Sequence, residues 1–111
     1  MLQMDVVEAI MKDCGWNEVH KGTRYTRDAV KLYDPNERSI GELYKAVAEK
    51  RNTTPSRVER AIRHAAEYVF YNGDTDDLRT WFGGRIDRES GKMTNGSLIA
   101  ALWHNAGGDE G

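Results

Sequence analysis

Apolar residues recur at offsets of three and four in six separate stretches of this chain, and each stretch predicts a helix. Leu2, Val6, Val7, Ile10 and Met11 are spaced for an amphipathic first helix that closes near Cys14-Gly15. Trp16 follows at once and is expected to pack over that helix end. Lys21-Gly22 reads as a turn, after which Tyr25, Ala29, Val30 and Tyr33 mark a second helix from about Thr23 to Tyr33. Asp34-Pro35-Asn36 stops it, since Pro35 biases the residue before it away from helical geometry and Asn36 favours a turn. The third helix runs from about Ser39 to Lys50, with Ser39 as N-cap, Glu42 completing a capping box, and a stripe of Ile40, Leu43, Tyr44, Val47 and Ala48.

The fourth helix has the sharpest start. Thr54 caps it and Pro55 occupies the first helical position, where a missing amide hydrogen costs nothing. Val58, Ala61, Ile62, Ala65 and Val69 share its buried face, and Asn72-Gly73 supplies a residue tolerant of positive φ just past an end near Tyr71. The aromatics Tyr68, Phe70 and Tyr71 are read as core. Asn72 to Thr75 form a turn, Thr75 or Asp74 caps a short helix with Leu78, Trp81 and Phe82, and Gly83-Gly84 ends it. Arg85 to Lys92 is an exposed polar loop. Thr94-Asn95 opens a last helix with Leu98, Ile99, Leu102 and Trp103, and Gly107 to Gly111 is expected to fray. No stretch alternates as a half-buried strand does, so the fold class is all-α, about six helices, no sheet.

The exposed face of the fourth helix is what points to chemistry. Ser56, Arg60, Arg63 and Glu67 lie opposite the apolar stripe, flanked by Arg57, Glu59 and His64. A short connection, Arg51 to Thr54, links this helix to the third. Two helices so coupled, the second basic on its free face, form either a helix-turn-helix that lays its second member in a DNA major groove or an ordinary helical hairpin with a solvated face. The pattern alone leaves both open.

Charge sharpens the picture. The whole chain carries −2, but six basic residues stand against two acidic ones between Tyr44 and His64, a local +4, while four stand against seven from Tyr71 to the end. Positive charge is thus concentrated on the helix pair, as a phosphate-facing surface requires. The 111 residues suffice for one domain, and 39% hydrophobic with 31% charged content is that of a soluble globular protein. No apolar run is long enough to span a bilayer and no secretory signal is visible, so a cytoplasmic setting is expected, with no membrane partner. Cys14 is the only cysteine and is read as a half-buried residue near a helix end. His20, His64 and His104 form no metal-ligand spacing, so neither metal nor cofactor is expected. Asp76, Asp77, Asp87 and Glu89 have no nucleophile or base at a useful spacing and read as solvated charge, which makes an enzyme the poorest class.

The run from Asn52 to Ala65, Asn-Thr-Thr-Pro-Ser-Arg-Val-Glu-Arg-Ala-Ile-Arg-His-Ala, closely resembles the recognition-helix segment of the DNA-binding effector domain of the master sporulation response regulator of endospore-forming bacteria. Gly15 to Tyr33 resembles that family's early helical hairpin, Asn72 to Gly83 its turn and short helix, and Lys92 to Ala100 its final helix, so the likeness covers essentially the whole chain. The resemblance implies a single effector domain over residues 1–111, with helices three and four as the helix-turn-helix. It implies binding to a promoter box with a TGTCGAA-like core through the helix from Pro55 to Tyr71, and control of transcription. Carried over by position, Glu59, Arg60 and Arg63 match residues that read base edges, and Ser56, Arg57 and His64 match positions at or near the DNA backbone. The partners implied are double-stranded DNA, RNA polymerase and a second copy on tandem sites.

Three departures stand against the family pattern. Its members usually carry an N-terminal receiver domain with a phosphorylatable aspartate, for which 111 residues leave no room. The chain is then either an excised fragment or a stand-alone relative. Leu43 to Ala48 lacks a proline expected after the tyrosine, and the acidic tail differs. The alternative function is accordingly a stand-alone protein-interaction module that partners or antagonises a full-length regulator.

Overall fold

Six α-helices account for the architecture of the computed structural model, which describes residues 1–110. They are α1 (Met4–Cys14), α2 (Lys21–Leu32), α3 (Ile40–Arg51), α4 (Pro55–Asn72), α5 (Thr75–Phe82), followed by a 3-10 turn over Gly83–Arg85, and α6 (Asn95–Asn105). There is no strand among the described residues, and none of the helices is long and apolar enough to cross a membrane. The caps explain the boundaries. Ser39 Oγ accepts from the Glu42 amide while the Glu42 carboxylate accepts from the Ser39 amide, and Thr54, Asp74 and Thr94 each accept from the amide three residues on. For α5 the cap is therefore Asp74.

The core draws one face from every helix: Val7, Ile10, Met11, Val30, Leu43, Val47, Val58, Ile62, Phe82, Leu98, Ile99 and Leu102 are all buried. The longest helix, α4, is gripped from three sides, by α2, α3 and α6. The closest grip is that of α2. Lys21-Gly22, expected as a turn, is instead its first turn, and Gly22 is there for space: a methyl group on it would lie 1.9 Å from the Ala61 carbonyl oxygen of α4. Gly73 departs from expectation in the same way. Its φ is −78°, an ordinary value, but a methyl group would meet the Cys14 carbonyl oxygen at 2.3 Å. Positive φ belongs to its neighbour across the contact, Gly15, at +117°.

Three further expectations are corrected. Cys14 is fully buried, and burial together with Asp77, Asp13 and Asp74 pushes its thiol up to about 12, so it stays protonated at neutral pH. Of the three aromatics near the end of α4 only Phe70 joins the core, in a cluster with Trp16 and Phe82 at centroid distances of 6.1–6.3 Å. Tyr68 is half exposed and stacks on His20 at 4.7 Å, and Tyr71 is 90% exposed. At 3.6 residues per turn, position 71 falls on the side of α4 opposite Val58 and Ile62, which is why no core reaches it. Finally, the tail does not fray over Gly107–Glu110. Gly108 donates to the Trp103 carbonyl at 2.8 Å and leaves no room for a methyl group against the Trp103 ring, and the Gln3 amide donates to the Ala106 carbonyl at 2.9 Å. Asp109 accepts the His104 ring Nδ1 at 3.1 Å. Gly111 lies outside the described residues.

One buried charge ties the scaffold to the helix pair. Asp28 of α2 is only 6% exposed and receives two hydrogen bonds from the Arg51 guanidinium, with Lys50 Nζ 3.4 Å away. Burial pushes this carboxyl up, but the Arg51 hydrogen bond and the charges of Arg51 and Lys50 outweigh it and hold it below the usual carboxylate range. Because the folded value lies below the unfolded one, the stabilisation is complete above the unfolded pKa, about 3.9. It is lost as pH falls through the folded value. Urea midpoints measured from pH 6 downward are therefore expected to drop below about pH 4 more steeply for the wild type than for Asp28→Asn. Parallel acid arms would remove Asp28 from that role.

Candidate nucleic-acid interface

The connection between α3 and α4 is three residues, Asn52 to Thr54. Asn52 adopts φ 54° and ψ 52°, left-handed geometry that asparagine tolerates better than other non-glycine residues. The Thr53 amide then reaches back to the Ala48 carbonyl at 3.0 Å, which closes α3, and the Thr54 hydroxyl takes the Arg57 amide at 3.3 Å, which opens α4. The turn thus fixes where the first residues of α4 emerge.

All six residues singled out on α4 face away from the core. Ser56, Arg57, Arg60, Arg63 and His64 are exposed, and Glu59 is half-buried. At 3.6 residues per turn the six occupy an arc of about 160° on the outer side of the helix. Val58, Ile62, Ala65 and Val69 are buried on the inner side. Glu59 and Arg63 are brought together rather than left apart: Arg63 Nη1 donates to Glu59 Oε1 at 2.6 Å, and Arg63 Nε lies 3.7 Å from Glu67 Oε1. Arg57 and Arg60 have no ion-pair partner among the described residues. Two guanidiniums therefore point to solvent uncompensated, and the third is held between carboxylates.

The tertiary structure redraws the charge map read from the sequence. Of the six basic residues counted between Tyr44 and His64, Lys50 and Arg51 are spent on Asp28 and Arg63 on its two glutamates. Lys45, Arg57 and Arg60 remain free of carboxylates among the described residues. The surface is accordingly less positive than the local count suggests. What persists is a small set of directed donors and one acceptor, Glu59, at the start of a helix whose N-terminal dipole end also favours anions.

Asn95, a helix start in the sequence, is a positioning residue in the structure. Its side-chain amide donates to the Tyr44 hydroxyl at 3.2 Å and to the Glu59 carbonyl at 3.1 Å, so the first residue of α6 joins α3 to α4 at the level of Glu59. Asp28 is equally inconspicuous in the sequence. Its one visible signal is an acidic residue beside Ala29 and Val30 within an apolar stripe. Sequence spacing does not reveal either partner, since Asn95 and Tyr44 stand 51 residues apart.

A family model described as the sporulation initiation factor Spo0A C terminal matches residues 7–105. The matched segment runs from within α1 to the last residue of α6 and contains every side chain of this surface.

Proposed function

The chain belongs to the family of the C-terminal domain of the sporulation initiation factor Spo0A, a DNA-binding transcription-regulator domain, and on that premise we propose that it reads a TGTCGAA-like box through α4. In this reading α3 and α4 act as the helix-turn-helix. Glu59, Arg60 and Arg63 contact base edges in the major groove, while Ser56, Arg57 and His64 meet the backbone. The observation that carries it is the outward arc of α4, where arginines and a glutamate stand side by side on a helix fixed from behind at Gly22 and Asn95. Arginine donates two parallel hydrogen bonds to guanine O6 and N7, and glutamate accepts from cytosine N4. The G and C positions of a TGTCGAA-like box offer both partners. The protein acts in the cytoplasm, and a second copy on tandem boxes and RNA polymerase are the further partners of this reading.

A fluorescence-anisotropy titration of the chain with a box duplex and a scrambled duplex, at several salt concentrations, tests it. Preferential binding to the box that weakens with salt is the expected result. Equal binding to both, or none, would turn the assignment toward a protein-interaction module. In the same assay Arg57→Ala is expected to weaken both duplexes alike and to flatten the slope of log K against log salt by about 0.9, the release of counterions from one phosphate. An unchanged slope would take Arg57 out of the backbone set.

A further inference from the structure

Of the three side chains assigned to base edges, Arg63 is the one already engaged on both sides. Glu59 holds its Nη1 at 2.6 Å from the preceding turn, and Glu67 lies 3.7 Å from its Nε on the following turn. Glu59, Arg63 and Glu67 are spaced four apart, so they follow one another along the exposed face, and all three are half exposed. Their summed charge is −1. A surface built only to attract phosphates would not carry two carboxylates around one guanidinium.

The two carboxylates differ in what DNA offers them. On a matched duplex a cytosine amino group donates to the Glu59 carboxylate, and guanine offers Arg63 two acceptors in return. On an unmatched duplex Glu59 has no amino group to meet and stays on Arg63. Glu67 sits two turns further along than Glu59 and keeps its hold in either case. We infer that Glu67 is a specificity-determining positioning residue, whose carboxylate withholds Arg63 from phosphates so that Arg63 contributes only where cytosine draws Glu59 away and guanine takes its place on the guanidinium. This inference rests on the DNA-reading role proposed above. An exposed ion pair is weak, so the effect is a matter of a few-fold in affinity, and it falls on unmatched DNA.

The test is Glu67→Gln, which keeps the shape of the side chain and removes its charge, in the anisotropy assay with box and scrambled duplexes over a salt series. Binding to the scrambled duplex is expected to tighten by about threefold, with a salt slope steeper by about 0.9 as Arg63 gains a phosphate. Binding to the box should change less, so discrimination narrows. Arg63→Ala and the double variant complete a cycle. If Arg63 is absent, Glu67→Gln should no longer steepen the slope. An unchanged ratio of box to scrambled binding, or an equal gain with and without Arg63, overturns the inference. Loss of box preference in Arg63→Ala supports the underlying reading independently, and an Arg63→Ala chain that discriminates like the wild type overturns that reading itself.

Discussion

Gly22→Ala is expected to destabilise the domain by about 3 kcal/mol, at the upper end of what overpacking a core costs. Replacing glycine by alanine within a helix ordinarily gains up to about 1 kcal/mol, so propensity and packing pull in opposite directions here. Packing wins because the obstruction is backbone. The added methyl group would stand 1.9 Å from the Ala61 carbonyl oxygen, 2.6 Å from its carbonyl carbon and 2.7 Å from Ala65 Cβ. No rotamer change relieves contacts with a main-chain carbonyl, so α2 and α4 must separate. A loss of this size should lower the melting temperature by about 10–15 °C in a domain of this length. Gly96→Ala is the control of opposite sign: nothing lies within 4 Å of the added methyl group, and the thermal transition should hold or rise. A Gly22→Ala chain that melts with the wild type would mean that α2 does not rest on α4 as described. The variant should also weaken box binding, since α2 backs the helix that carries Glu59, Arg60 and Arg63.

Arg60→Ala should erase preference at one base pair of the box and lower box binding by about tenfold to a hundredfold, the worth of a bidentate arginine–guanine pair of about 1–3 kcal/mol. Scrambled duplex should lose much less. Arg60 is exposed and has no carboxylate partner among the described residues, so on the proposed reading its guanidinium would meet a base without surrendering an existing contact. Arg63 must first give up Glu59 at 2.6 Å. The net loss on Arg63→Ala should therefore be smaller than on Arg60→Ala, although the two residues are of the same type on the same helix. Titrations against box duplexes carrying single base substitutions separate the cases. Equal weakening on every duplex, scrambled included, would place Arg60 on the phosphate backbone instead.

The helices were legible because their signals are local. A hydroxyl or carboxylate cap, a proline at the first turn and an apolar stripe at offsets of three and four act within one or two turns, and each of Ser39, Thr54 and Thr94 caps in the structure as its position in the sequence implies. The glycines were read less well. In sequence Gly22 and Gly73 look like turn signals, but both mark places where another element's backbone comes too close for a side chain. A glycine looks the same in sequence whether it serves φ or space. The aromatic end of α4 was misjudged for a related reason. Tyr68, Phe70 and Tyr71 are similar in composition, and only their angular positions, together with Trp16 and Phe82 arriving from elsewhere, send Phe70 inward and leave Tyr71 in solvent.

By itself, then, the sequence determined the number of the helices and the caps of α3, α4 and α6, the outward face of α4 and the family to which the chain belongs. Each of these rests on neighbours in the chain or on a contiguous run of residues. The tertiary structure alone decided which charges are available. Asp28 removes Lys50 and Arg51 from the basic surface across 22 and 23 residues and Asn95 fixes Glu59 across 36, whereas the pairing of Arg63 with Glu59 and Glu67 is local to α4 and follows from their spacing of four. Coulomb and hydrogen-bond energies depend on distance in space, and separation along the chain does not report it.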